Sequence, residues 1–220
     1  MLFRSARAAG GSADKRAAAV AVLATAWAAR LALHIATRNI GHGEDYRYRS
    51  MREKYGANFP LVSLGIVFLL QAVLMWIVSL PLQAVSRPGP SVPFGWLDIV
   101  GFAIWSAGYA FEAVADAQLV VFKKNPANKG RVLDTGLWRY SRHPNYFGEC
   151  VIWWGFGLTA LATGAWWALA GPAVMTILLL KVSGVSLLES TITERRPGYR
   201  EYIERTSAFV PLPHKHNVKR

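Results

Sequence analysis

The sequence predicts an all-α fold, a polytopic membrane bundle of about five transmembrane helices, from three observations. Of the 220 residues 53% are hydrophobic, with nine tryptophans, and the apolar residues come in long runs rather than in helical or strand alternation. Four runs, Ala17 to Ala36, Leu61 to Val85, Leu97 to Val121 and Trp166 to Leu188, reach the roughly 20 residues that a helix needs to cross a bilayer. The net charge of +12 crowds into Arg38 to Lys54, Lys123 to Arg142 and Arg195 to Arg220, so basic loops alternate with loops nearly free of Lys and Arg. That alternation accounts for the charge without nucleic acid, which is not expected as a partner. It places the three rich stretches and the C-terminus in the cytoplasm and the N-terminus outside.

Taken in order, residues 1–16 read as an N-terminal tail. Its Arg4, Arg7, Lys15 and Arg16 put positive charge on the predicted outer side, and it has neither the apolar core nor the cleavage site of a signal peptide. The first span carries His34 near its end, one turn before Arg38; a lone histidine there is more often packed or interfacial than catalytic. The connector "RNIGHGEDYRYRSMREKYG" mixes both signs, so Arg38, Arg47 and Arg49 are either phosphate ligands or part of a solvated loop. In the third span Glu112 and Asp116, at i and i+4, share one face. Two carboxylates that close repel, so a cation, a donor or a ligand hydroxyl should sit opposite them. The fourth segment, Phe147 to Ala160, is shorter and becomes a fifth span if its start reaches back to Asn145; Asn145 and Glu149 repeat the same spacing on it. On the last span, Lys181 and Glu189 lie two turns apart. A charge at mid-bilayer costs roughly 2.5 to 3.5 kcal/mol. The bland reading pairs these groups, for example Lys181 with Glu149; their gathering at cytoplasmic helix ends favours a polar cavity open to the cytosol. The membrane-embedded domain runs over residues 17–213 and a basic tail over 214–220.

Ahead of the fourth span stands "DTGLWRYSRHPNYFGE", residues 134–149. Gly136 permits a turn, Ser141 or His143 is the expected cap, and Pro144 suits a first helical turn. Arg139, Arg142 and His143 around that helix N-terminus make an anion site. The alternative is a basic cluster holding acidic headgroups of membrane lipids, with Trp138, Tyr140 and Tyr146 as an interfacial belt. No P-loop, strand-flanked dinucleotide fingerprint or serine-hydrolase elbow is present. The five histidines fall into no zinc-binding pattern, so no metal is expected. Cys150, the single cysteine, admits no disulfide within the chain.

"DTGLWRYSRHPNYFGE", followed by "WWG", "LLLKVSGVSLLE" and "RRPGYREYIERTSAFVP", resembles the C-terminal catalytic region of the steroid 5-alpha-reductase superfamily, nearest its bacterial branch of poorly characterised membrane proteins. Membrane isoprenylcysteine carboxyl methyltransferases share a similar Arg-His-Pro-x-Tyr-x-Gly segment. The reductase resemblance implies an inner-membrane enzyme that uses NADPH to reduce the carbon-carbon double bond of an enone in a steroid-like or other lipophilic substrate. An Asn-x-x-x-Asp-x6-Arg pattern of that family falls on Glu112, Asp116 and Lys123, where only Asp116 matches. An Asn and a Glu at the next helix start match Asn145 and Glu149, and Arg38, Arg47 and Arg49 fall near arginines that neutralise cofactor phosphates. The family's late Arg and His have only Lys181 and Val185 nearby. Relatives begin with two further helices, apparently missing here, whose acidic residue polarises the substrate carbonyl. His34 is the candidate for that role. The rival enzyme uses S-adenosylmethionine, bound by Arg142, His143, Tyr146 and Glu189; a non-catalytic lipid- or partner-binding protein is the third reading.

Overall fold

The computed structural model describes residues 2–40, 43, 46–87, 92–182 and 198–214, the side chains of 2–14, 46, 47 and 182 excepted. Among the described residues the chain is helical, and its one β feature is an isolated parallel bridge between Ser141 and Ser207. Helix α1 spans Leu2–Asn39, α2 Tyr46–Tyr55, α3 Phe59–Ser63, α4 Leu70–Val78, α5 Leu80–Ser86, α6 Trp96–Lys124, α7 Pro144–Leu161, α8 Ala170–Ile177 and α9 Tyr199–Arg205. Short 3-10 and π turns join α2, α3 and α4 into one rod and extend α8 at both ends.

Among the described residues three helical segments are long and apolar enough to cross a membrane: Lys15–Asn39, Tyr48–Val78 and Trp96–Lys124. Large apolar side chains on them point outward, among them Val22, Leu33, Leu61, Met75 and Trp76, as a hydrocarbon solvent allows and water does not. The shorter apolar helix Trp166–Lys181 and α7 complete the bundle, which makes the protein an integral membrane helical bundle.

The spans expected from sequence shift in two places. Residues 2–16 do not stand apart from the first span but continue α1, with Arg16 inside the bundle. The second run breaks at Ser79, between α4 and α5, because Pro81 in the first turn of α5 lacks an N–H, and its ring excludes a helical carbonyl four residues earlier. Gln83 Nε2 donates to the Trp76 carbonyl at 2.9 Å and to Ser79 Oγ at 2.8 Å, which satisfies a backbone group that the break would leave open.

Helices α6 and α7 form the tightest, antiparallel seam, and glycine is the reason. A Cβ added at Gly108 would lie 2.8 Å from the Gly148 carbonyl, and one at Gly148 would lie 2.6 Å from the Glu112 nitrogen. Gly101 and Gly155 make the same approach one heptad away. Small residues let helix backbones meet in lipid, where apolar burial gives no net drive. Around the seam Trp105, Ile152, Trp153, Phe156 and Ala160 are buried.

Helix α1 attaches differently, through long side chains. Arg16 reaches Asp98, Trp27 reaches Glu112 and Arg30 reaches Asp116, a set of rungs whose order makes α1 and α6 parallel. The Trp27 ring meets Trp153 edge-on, 5.6 Å between centroids.

Candidate functional site

The segment before α7 is held from both sides. Gly136 has a φ of +61°, a conformation that side chains with a Cβ rarely adopt, and a Cβ there would also strike the Gln118 amide. Gln118 Oε1 accepts from the Leu137 N–H at 3.0 Å, and Trp138 Nε1 donates to the Ala115 carbonyl at 3.0 Å; both moor the turn to α6. Pro144 opens α7 as the sequence predicts. No side chain caps that helix, contrary to the expectation for Ser141 or His143. Ser141 Oγ instead accepts from the His143 N–H at 3.1 Å and donates to the Phe209 carbonyl at 2.7 Å, because the C-terminal segment competes for it.

That segment forms the other wall. The buried Arg142 donates from Nη1 to the carbonyls of Ile203, at 3.0 Å, and Thr206, at 2.6 Å, and the Tyr202 hydroxyl donates to the Trp138 carbonyl. Backbone bonds from Arg142 N to Ser207 O and from Leu212 N to Tyr140 O, 2.9 and 3.0 Å, continue the seam. Arg205 pairs with Asp134 at 3.0 Å.

Between these walls and the ends of α1 and α6 lies a cavity of about 350 Å³. Arg38 lines it from α1, Leu119, Phe122 and Lys123 from α6, and Trp138, Arg142 and His143 from the turn. Asn145 and Tyr146 line it from α7, and Tyr199 and Tyr202 from α9. His143 and Tyr146 stack with centroids 5.5 Å apart and planes 9° apart. The chemistry of the wall is cationic and aromatic, suited to a phosphorylated ligand with a flat ring.

Deeper in the membrane, Asn145 connects the cavity to a charge cluster. Its Nδ2 donates to Asp116 Oδ1 at 3.2 Å. Arg30 Nη1 donates to the other oxygen, Asp116 Oδ2, at 2.9 Å. Nη2 of Arg30 lies against Glu112 Oε1 as an ion pair, Trp27 Nε1 donates to Glu112 Oε2 at 3.2 Å, and the guanidinium stands 5.5 Å from the Tyr109 ring centre. Glu112 and Asp116 are 2% and 5% exposed, so this arginine is the cation that the paired carboxylates demand. Half-buried Glu149, one turn beyond Asn145 on α7, accepts no hydrogen bond from the described residues.

The cavity thus gathers Arg38, Lys123, Arg142, His143, Asn145 and Tyr146 of the residues expected from sequence, and Asp116 and Glu112 stand behind Asn145. His34 faces the cluster rather than the cavity, with Nε2 3.9 Å from Asp116 Oδ1. Arg49, Arg139 and Lys181 are exposed and do not line the cavity, and no ion pair joins Lys181 to Glu149. The Arg47 side chain, His42, Val185, Glu189 and His216 lie outside the described residues. Sequence reasoning missed Arg30, Trp27, Tyr199 and Tyr202. Arg30 lies one turn before His34, on the face turned to α6; the tyrosines fall in the quoted segment "RRPGYREYIERTSAFVP", but only the fold brings α9 to the turn.

Residues 2–206 match the family described as a protein of unknown function (DUF1295). An uncharacterized protein of Schizosaccharomyces pombe is 26% identical over 225 residues, which cover 90% of this chain and 64% of that protein. A probable O-methyltransferase of Ustilaginoidea virens is 45% identical over 64 residues, 29% of this chain and 22% of that protein. The chain spans less than two thirds of the length of these curated relatives. No solved structure gives a significant match. With a helical membrane bundle and nearly the whole length matched, the chain belongs to the DUF1295 family, a branch of the steroid 5-alpha-reductase-like superfamily.

Proposed function

We propose that the protein is a membrane oxidoreductase that binds NADPH in the cavity at the end of α1, α6 and α7 and reduces the double bond of an enone in a lipophilic substrate. One observation carries the reading: among the described residues the cavity is lined by Arg38, Lys123, Arg142 and His143 together with aromatic rings. A wall of that charge favours a ligand with several phosphate charges over one with none. Arg142 is turned to backbone carbonyls, and Arg38, Lys123 and His143 share the cavity wall with it. NADPH, when bound, supplies a hydride. The protein's own part is to hold the nucleotide, to keep water out by the aromatic wall, and to present Asn145 with its amide orientation fixed by Asp116. The proton that a substrate oxygen needs is assigned to His34, whose Nε2 lies 3.9 Å from Asp116 Oδ1. The substrate enters from the lipid, and the cavity end of the bundle faces the cytoplasm of a bacterial inner membrane.

A second reading, an S-adenosylmethionine-dependent methyltransferase, is favoured by the match to the probable O-methyltransferase of Ustilaginoidea virens. Equilibrium binding of NADPH, NADH and S-adenosylmethionine to the detergent-purified protein decides between them. NADPH is expected to bind, and binding of S-adenosylmethionine alone would replace the reductase with the methyltransferase.

A further inference from the structure

We infer that Arg30 is a positioning residue for the nucleotide, acting from the lipid-embedded side of the cavity through Asp116 and Asn145 without lining the cavity itself. The inference rests on the reading of the cavity as a cofactor site. Its basis is the division of one carboxylate. Asp116 gives Oδ2 to Arg30 Nη1, at 2.9 Å, and Oδ1 to Asn145 Nδ2, at 3.2 Å. Fixing one oxygen by a charged donor fixes the plane of the carboxylate, and with it the direction from which the other oxygen accepts. Asn145 has two chemically different ends, and a carboxylate accepts only from the amide nitrogen. The Arg30–Asp116 pair therefore sets which end of the Asn145 amide turns away from α6, leaving Oδ1 as the acceptor. Asn145 lines the cavity, so a contact in the membrane-embedded part of the bundle determines the polarity of a group on the cavity wall.

The residue type matters as well as the charge. Glu112 and Asp116 stand one turn apart on α6, about 6 Å, and Arg30 places one terminal nitrogen against each. A planar guanidinium spans such a pair, whereas an ammonium is a point charge that meets one partner at a time. Arg30→Lys keeps the positive charge in the membrane, where Glu112 neutralises it as well as Asp116 does, and removes the bridge. Its effect on affinity therefore separates orientation from charge balance.

The test is a double-mutant cycle between Arg30→Lys and Asn145→Ala, with NADPH affinity measured by fluorescence titration and the melting temperature of the ligand-free protein measured alongside. Arg30→Lys is expected to weaken NADPH roughly 10-fold with little change in ligand-free melting. In the Asn145→Ala background the same change is expected to have less than a twofold effect. A merely structural arginine moves the melting temperature and leaves the affinity effects additive. Unchanged NADPH affinity in Arg30→Lys, or full additivity with Asn145→Ala, overturns the inference while leaving the cofactor reading intact. Binding of S-adenosylmethionine alone overturns the NADPH reading, and the same cycle run with that ligand then decides the role of Arg30. Binding of neither ligand overturns both. Where Arg30→Lys does not fold, Arg30→Gln with Glu112→Gln, which keeps the net charge and leaves Asp116 and Asn145 in place, replaces it in the cycle with the same criterion.

Discussion

Two arginines of α1 meet carboxylates of α6 along one seam, and they differ in every respect that matters. Arg16 and Asp98 are 2% and 0% exposed. Nε and Nη2 of Arg16 contact the two oxygens of Asp98 at 2.6 and 2.8 Å, and Nη1 and Nη2 donate to the carbonyls of Val92 and Pro93 at 3.2 and 3.1 Å. Asp98 Oδ2 also accepts from the Gly95 N–H at 2.9 Å. Every nitrogen of that guanidinium is used. Arg30 has an 18% exposed side chain, one aligned hydrogen bond to Asp116 and an Nε with no partner among the described residues. It faces two carboxylates, with a third, Glu149, nearby. A saturated pair fixes a helix; an unsaturated one, shared among several groups and reaching Asn145, holds a site in a defined but adjustable state.

The sharpest way to break the comparison is Arg16→Ala, which leaves Asp98 buried beside its vacated partner. A loss of about 3–5 kcal/mol, read by chemical denaturation in detergent, is the expected result. Replacing both partners, Arg16→Met with Asp98→Leu, should return most of it, since apolar groups of similar volume need no counter-charge. Gly148→Ala comes next. Its new Cβ meets the Glu112 backbone at 2.6 Å, so α7 must shift, with a cost of about 1–3 kcal/mol in the same measurement and weaker NADPH binding, because Asn145 moves with α7. Tyr202→Phe removes the hydroxyl that donates to the Trp138 carbonyl; a melting experiment should register about 1 kcal/mol. The smallest effect belongs to Lys123→Ala at the exposed cavity mouth: roughly 2–5-fold weaker NADPH binding and a shallower salt dependence.

Much of this was legible before any coordinates, and the exceptions have a physical pattern. Apolar run length placed the helices because a bilayer imposes length directly. Pro144 marked the start of α7 because its ring is compatible with a first turn. The paired carboxylates called for a cation, a donor or a ligand hydroxyl, but nothing in a linear sequence decides among these or selects Arg30 from the 25 Lys and Arg residues; the selection is made by the parallel register of α1 and α6. The same register gives Arg16, expected as positive charge on the outer side, a buried counter-charge in Asp98. Arg87, also at that end, lies 5.1 Å from the Trp167 ring centre. Tyr199 and Tyr202 stand in a segment the resemblance singles out, but their place on the cavity wall depends on carbonyls accepting from Arg142, and backbone acceptors carry no sequence signature.

The rungs between α1 and α6 join residues 82 to 86 positions apart, and that interval imposes a schedule on biogenesis. During synthesis α1 leaves the ribosome with both guanidinium groups long before Asp98, Glu112 or Asp116 has been translated. Unpaired Arg30, well inside the span Lys15–Asn39, resists entry into hydrocarbon by roughly 2.5–3.5 kcal/mol. The first helix is thus expected to linger at the translocon or the lipid headgroups until the third long helix arrives, and to enter the bundle as its late partner.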